Sequence, residues 1–404
     1  MTGVATRAPR LFGAAAGNLA DHLAAVGPLP ELDGAGVGRL VTDSGLTGRG
    51  GAGFPTGRKL AAVAAGGRAV VVANGAEGEP ASSKDRALLT RAPHLVLDGL
   101  TLAARATGAT EAHLYAPADL LARFVAPALR ERRDRPRVAL VPSADTFISG
   151  QESAVVAAVE GRPALPSTTP PAVFTRGVGG RPTLVQNVET LAHLALIARY
   201  GADWFRSVGT DTEPGTRLVT LSGAVRVPGV YEAAAGAPLG AVLGLAGGVS
   251  EPVQAVLVGG YHGGWVPLTR ETAELPMTRT ALAPYAAAPG AGVLIALPAR
   301  RCGLQAATEI TAYLAGQNAG QCGPCRNGLP ALAAQLQALS IGDAGPGAVQ
   351  ELRRVAGIVD GRGACHHPSG TVRLVWSTLL AFADDIDHHA HGWCAADEQP
   401  RRPR

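Results

Sequence analysis

Aromatic residues are scarce in this chain: 7 Phe, 6 Tyr and 4 Trp among 404 residues. So thin a supply argues against a nucleic-acid reader, which stacks bases on aromatic platforms. Charge is also sparse, at 17% Asp, Glu, Lys and Arg, and 36 basic against 32 acidic residues leave a net of +4. The excess gathers at Arg130–Arg135 and at Arg401, Arg402 and Arg404. Both stretches read as solvated surface rather than as a groove for phosphates. No run of 18 apolar residues escapes glycine and charge, so no membrane span is expected. The opening MTGVATRAPRLFGAAAGNLADHL has an arginine-interrupted apolar stretch and no clear cleavage site, which reads as cytoplasmic. Cysteine is missing until Cys302; Cys322, Cys325, Cys365 and Cys394 follow. An odd number confined to one region suggests metal ligation more than disulfides.

What the chain does hold is alanine, glycine and an apolar fraction of 47%, enough for several domains with real cores. Short β-branched runs alternate with alanine-rich helical stretches through the first half. Arg68-AVVVAN-Gly75, Glu111-AHLYAP and Arg137-VALVPS read as strands, while Pro93-HLVLDGLTLAARATG and Ser153-AVVAAVEG read as helices. That alternation predicts an α/β layer structure with a mostly parallel sheet. Residues 162–183, rich in proline and glycine, read as a long loop, and 187–204 return to helical periodicity. Short strands with turn glycines from about 214 to 275 predict a small α+β domain, with Gly259–Gly264 as a turn. Four apolar-striped segments between 303 and 394 predict a four-helix cap holding the cysteines.

Four stretches carry the chemistry. GRGGAGFPTGRK, Gly48–Lys59, contains Gly-x-Gly-x-x-Gly but follows a turn-forming segment and not a strand, so it is a poor dinucleotide fingerprint. Its glycines let a flat or phosphate-bearing ligand approach backbone. Asn74-GAEGEPASSKD-Arg86 leaves a strand at its carboxyl end, where open α/β sheets bind ligands. Asp145-TFISGQESAVV sets Phe147, Gly150, Gln151 and Glu152 just before a helix, whose N-terminus favours anions. Pro182-TLVQNVETLA places Gln186, Asn187 and Thr190 at another helix start.

In this order, the four stretches resemble the F-type, flavin- and NADH-binding subunit of respiratory complex I and its relatives in NAD-reducing hydrogenases and formate dehydrogenases. The motifs are G-R-G-G-A-G-F-P-T-G-x-K, N-x-x-E-x-E-P-x-x-x-K-D-R, G-x-E before a helix and P-T-x-x-x-N-V-E-T. The resemblance implies a helical segment at 1–40 and an FMN- and NADH-binding α/β domain at 41–210 that is not a standard Rossmann fold. It further implies a ubiquitin-like β-grasp (SLBB-type) domain at 211–280 and a four-helix iron–sulfur-binding bundle at 300–395. Carried over by position, Gly50, Gly51, Gly53 and Lys59 meet the flavin and its phosphate. Asn74, Glu77, Phe147, Gly150, Gln151, Gln186, Asn187 and Thr190 join them. Phe54, Glu79 and Glu152 fall where the family meets NADH, with Glu152 and Glu79 as the catalytic pair.

The departures are at the nucleotide and the metal. Ala76 replaces a family aspartate, Ala62 and Ala172 stand where aromatics sandwich the adenine, and Thr169 replaces a lysine. A lost aromatic stack costs roughly 1 kcal/mol, so flavin binding is better preserved than NADH binding. The family's C-x2-C-x2-C becomes Ala319-GQCGPCRNG: Cys322, Cys325 and the distant Cys365 match, and Cys394 is the replacement ligand for a 4Fe-4S cluster. Cys302, read first as packed, and His366 come next, and zinc is the alternative metal. His388, His389 and His391 read as a helix terminus complementing its dipole. Three readings follow. The first is an oxidoreductase passing hydride from NADH to FMN, then single electrons to the cluster and on to a ferredoxin-like or other redox subunit. The second is a ferredoxin-fed variant without NAD, and the third a degenerate scaffold.

Overall fold

The computed structural model describes residues 10–133, 136–167 and 171–396; Thr169 and the Arg401, Arg402 and Arg404 tail lie outside them. Two compact units emerge, one running to Val219 and taking in Val230–Ala237, the other comprising Thr220–Gly229 and Pro238 onward. No helix among the described residues is long and apolar enough to cross a membrane.

The first unit is built on a parallel sheet of β1 (Val70–Asn74), β2 (Glu111–Ala116), β3 (Val138–Pro142) and β4 (Thr183–Asn187), in the order β3-β2-β1-β4. Alternation along β1 decides its layers. Val71 and Ala73 enter the larger core with Leu95, Leu114 and Leu191, while Val70 and Val72 join Tyr115, Val155 and Val185 on the opposite face. Apolar side chains on both faces explain why β1 reads as an unbroken β-branched run. β4 is a departure: Gln186 was expected at a helix start, but Thr183–Asn187 is extended and the helix begins at Val188. Asn187 marks the change, its side chain accepting from the Glu189 N–H as a helix cap.

The helices Pro93–Thr107 and Val188–Tyr200 pack closely, and Gly99 sets the distance. A Cβ at Gly99 would lie 1.9 Å from Leu191 O. Gly99→Ala is therefore expected to destabilise the protein by about 3 kcal/mol through overpacking. Thermal melting checks this, and an unchanged midpoint would refute the close approach.

A second sheet runs β6 (Gly229–Ala234), β5 (Thr216–Gly223), β9 (Val293–Pro298), β7 (Val253–Val258), β8 (Gly264–Pro267). β9 lies parallel to β5 and antiparallel to β7, and the helix Leu239–Gly244 follows β6. A last strand inserted beside the first, with a helix between the second and third, is the β-grasp order. β9 lies beyond the expected limit of residue 280 because β5 needs it as a partner.

Among the described residues five α-helices follow where four were expected: Gly303–Gly316, Leu329–Ile341, Ala348–Val359, His367–Ala381 and Ala383–Ala390. The expected last helix breaks at Phe382 (φ −122°, ψ 34°). Its ring is held 5.5 Å from that of Trp265, and against Gly303, where a Cβ would come within 2.3 Å of it.

Candidate functional site

β1 and β4 end side by side, with Asn74 and Asn187 as register partners. The chain lays β2 and β3 on one side of β1 and then β4 on the other. Strand order thus reverses between β1 and β4, the place where open α/β sheets bind ligands. Three loops converge there.

The glycine-rich loop is closed at its base by Gly48 N–H to Phe54 O (2.9 Å) and Thr56 N–H to Leu46 O (2.9 Å). Gly51 (φ +113°) and Gly53 (φ +66°) turn its tip in a region closed to most side chains. Arg49 N–H donates to Thr190 Oγ1 at 2.8 Å, and a Cβ on Gly50 would come within 3.3 Å of Asn187 Cβ. Pro55 caps the helix Thr56–Ala64, so the proline opens that helix rather than blocking it. The other two loops meet backbone to backbone. A Cβ on Gly78 would lie 2.6 Å from Thr146 O, one on Gly150 3.3 Å from Ala76 O, and Asn74 Nδ2 donates to Gly150 O at 2.9 Å.

Lys59 is buried on the helix behind the loop. Its ammonium donates to Val185 O at 2.6 Å and to Glu152, the first residue of the helix Glu152–Val159. The Glu152 side chain remains 46% exposed, so this carboxylate faces solvent while its partner does not. Phe54 is likewise exposed, with the Arg58 guanidinium 5.7 Å from its ring centre.

Beneath the asparagine pair lies a buried charge cluster. Lys84 Nζ lies 2.7 Å from Asp85, 2.9 Å from Glu189 and 3.1 Å from Asn187 Oδ1. Asn187 Nδ2 donates to Asp85 Oδ2 at 2.7 Å, so the cluster fixes the orientation of this amide. Burial opposes the Lys84 charge, but Asp85 and Glu189 outweigh it and raise its pKa. Burial also opposes ionised Glu189, yet Lys84, His193 and Arg49 pull it down to about 2. Asp85 is left with the poorer share: burial, with the charges of Glu77 and Glu189, pushes it up to about 6 despite Lys84.

In the second unit three thiols gather. Cys325 interacts with Cys322 and Cys365 and takes a hydrogen bond from the Ala319 N–H; burial pushes its pKa up to about 11. Burial works against the Cys322 thiolate as well, but the N–H groups of Ala364 and Cys325 bring its pKa below the ordinary value. Cys394 does not join them. Its sulfur lies within 4.8 Å of Cys302 Sγ and a His389 ring nitrogen, and His389 binds Ser340 O at the far end of the helix Leu329–Ile341. Cys325 precedes the near end of that helix, so at 1.5 Å per residue the two sets stand on the order of 20 Å apart. Cys394 as fourth cluster ligand is corrected accordingly.

Comparison with known proteins decides the family. A family model described as the Nuo51 FMN-binding domain matches residues 41–196, and one described as the NADH-ubiquinone oxidoreductase-F iron–sulfur binding region matches 305–389. The second F-type chain of the Rhizobium meliloti NADH-quinone oxidoreductase is 31% identical over 370 residues, covering 87% of each chain. The chain belongs to the F-type family of NADH-quinone oxidoreductase subunits. It is also 30% identical to the NADP-reducing hydrogenase subunit HndC of Solidesulfovibrio fructosivorans, over 87% of this chain and 75% of that one. A solved NAD+-reducing NiFe hydrogenase in its H2-reduced state superposes with a TM-score of 0.82 at 32% identity, covering 88% of this chain. This chain spans 62% of that hydrogenase chain.

For an F-type chain of this family the α/β class, the flavin-binding and iron–sulfur-binding regions and the oxidoreductase class all stand as expected. The structure sorts the carried-over residues. Gly50, Gly51, Gly53, Asn74, Gly150, Gln151 and Asn187 lie in the converging loops or at the strand ends. Thr190 and Glu77 are spent on holding the loops themselves. Thr190 is fully buried and anchors the Arg49 N–H, while Glu77 takes Ser82 Oγ (2.6 Å) and the N–H groups of Asp85 (3.0 Å) and Arg86 (3.1 Å). Gln186 is buried, 3.5 Å from Thr56 Oγ1. Glu79 accepts from the Ala81 N–H at 3.3 Å, and Phe147 supplies backbone against Gly78. Sequence reasoning missed Lys84, Asp85 and Glu189 as a supporting cluster. The signal was there in Glu189 and His193, spaced i,i+4 within an otherwise apolar helix.

Proposed function

We propose that this chain is the NADH-oxidising, flavin- and iron–sulfur-bearing subunit of a multi-subunit electron-transfer complex. The observation that carries the reading is the convergence of the glycine-rich loop on the Asn74–Asn187 pair where strand order reverses. A flat ring system fits against backbone without Cβ, and Gly50, Gly51 and Gly53 supply such backbone. Bound FMN supplies acceptance of a hydride and its release as single electrons. The protein's part is placement. Gly50, Gly51 and Gly53 give close backbone approach, the buried Lys59 ammonium supplies a point charge for a phosphate, and Asn74 and Asn187, bound to Gly150 O and Asp85, fix the strand ends and loops around the ligand. Glu152, exposed beside Lys59, accepts a hydrogen bond from the nicotinamide amide and sets its face, and Glu79 serves the same nucleotide from the loop after β1. Cys322, Cys325 and Cys365 hold three corners of a 4Fe-4S cluster, and the fourth corner falls at Ala319. A ferredoxin-like or other redox subunit takes the electrons, and any contact with a membrane belongs to such a partner.

Anaerobically purified protein is expected to be yellow-brown, to release flavin on denaturation and to bleach on adding NADH in stopped flow. Colourless protein would leave only the scaffold reading. One observation favours the ferredoxin-fed variant: Ala62 and Ala172 offer no aromatic surface to an adenine. Bleaching by a reduced ferredoxin, with none by NADH even at high concentration, would select it. Under the main reading, Glu152→Gln is expected to raise the NADH concentration for half-maximal bleaching roughly tenfold or more, the loss of one charge-assisted hydrogen bond. Flavin content should stay unchanged; an unaltered NADH dependence would remove Glu152 from the nucleotide site.

A further inference from the structure

Three donors that the electron-transfer reading leaves unused meet inside the helical part of the second unit. Cys302 precedes the helix Gly303–Gly316, His389 lies in the last turn of the helix Ala383–Ala390, and Cys394 lies in the segment after it. All three are buried, at 4%, 1% and 1% exposure, and one donor atom from each lies within 4.8 Å of the others. The chain is folded back to bring them together. His391 and Gly392 N–H groups return to His388 O and His389 O, each at 3.0 Å, and Gly392 takes φ +74°. The His388 and Trp393 rings then meet edge to face at 4.3 Å, and Cys394, the next residue, is buried.

We propose that Cys302, His389 and Cys394 form a structural zinc site, separate from the iron–sulfur thiols. The donor set is right for zinc, which takes thiolate sulfur and imidazole nitrogen in tetrahedral array. The spacing is right too. Metal–sulfur bonds of about 2.3 Å and metal–nitrogen bonds of about 2.0 Å place tetrahedral donors roughly 3.5 Å apart, and Cys302 Sγ to His389 Nε2 is 3.5 Å. His389 is held as metal-ligating histidines are: Nδ1 donates to Ser340 O at 2.8 Å, which leaves Nε2 its lone pair on the side of the sulfurs. Water or a carboxylate completes the fourth position, and Asp385 stands one turn before His389 on the same helix. Bound zinc ties the start of one helix to the end of another and to the segment beyond.

The test uses the full chain with its iron–sulfur cluster, supplied with zinc in slight excess and desalted. About one zinc per chain is expected beside the iron. Cys302→Ser with Cys394→Ser should lose the zinc and keep iron content and the cluster spectrum. If that variant does not fold, zinc-edge X-ray absorption of the unaltered protein decides the matter. Two sulfurs at about 2.3 Å with nitrogen or oxygen at about 2.0 Å would support the site, while three or four sulfurs would put the metal on the other thiols. Protein without zinc, zinc retained by the double variant, or a Cys302–Cys394 disulfide found by thiol titration would overturn it.

Discussion

Replacing Lys84 by methionine is expected to cost about 3–5 kcal/mol, because it strips the cation from a buried cluster and leaves two carboxylates facing each other. Lys84 is only 2% exposed, with Asp85 at 4% and Glu189 at 1%, so water cannot take over its role. The melting midpoint should fall by roughly 10 °C for a unit of this size. Flavin content should fall as well, since the orientation of Asn187 depends on Lys84 and Asp85. The pH dependence gives the sharper check. In the native chain Glu189 sits at about 2; its contribution is complete above its unfolded pKa of roughly 4.3 and is lost as pH falls toward 2. Asp85, raised to about 6, works the other way, its ionisation weakening the fold as pH rises from roughly 4 to 6. Without Lys84, Glu189 joins Asp85 above the unfolded range, so the folded variant binds more protons than the unfolded one. Its stability then rises as pH falls, and the gap to the native protein should narrow between about pH 7 and pH 5. A gap that widens on acidification, or midpoints within a degree of each other, would show that the cluster does not carry this charge balance.

Which parts of this molecule are legible in its sequence follows from how local the physics is. β1 is buried on both faces and announces itself as an apolar β-branched run, and β2 and β3 carry enough apolar residues to be read beside it, although β3 at the sheet edge is only partly buried. β4 does not, because Thr183 and Gln186 interrupt it and its helix begins one residue after it ends. The loops at the strand ends are legible for a different reason. Their glycines answer backbone needs, such as φ +113° at Gly51 or the contact of Gly78 with Thr146 O, that no other residue meets cheaply. The division of labour among polar residues is hidden. Glu77 and Glu79 look alike in sequence, yet one is spent on the N–H groups of Asp85 and Arg86. Cys394 shows the limit most clearly: a count of thiols cannot tell which end of the helix Leu329–Ile341 each one reaches.

Ala319→Cys is expected to convert a labile cluster into a durable one. Three thiolates leave one iron of a cubane without a protein ligand, and such an iron departs on oxidation. The native protein should therefore give a three-iron paramagnetic signal after brief exposure to air, and its brown colour should fade quickly. Ala319 is placed to mend this, because its N–H already donates to the Cys325 sulfur and its position restores the C-x2-C-x2-C spacing. A fourth thiolate there should slow bleaching in air by at least about tenfold, equivalent to about 1.4 kcal/mol, and suppress the three-iron signal. The loop imposes little resistance. Gly320 (φ +64°) supplies the turn, Asn318 Oδ1 accepts from the Gly320 N–H at 2.8 Å, and the Ala319 side chain is only half-buried. If air lability and the three-iron signal are the same in both proteins, the fourth iron is already held by another group in the chain. The three-thiol corner on Cys322, Cys325 and Cys365 would then be the wrong description of the site. Zinc content should not respond to this substitution at all, since its proposed ligands lie at the opposite end of the helix.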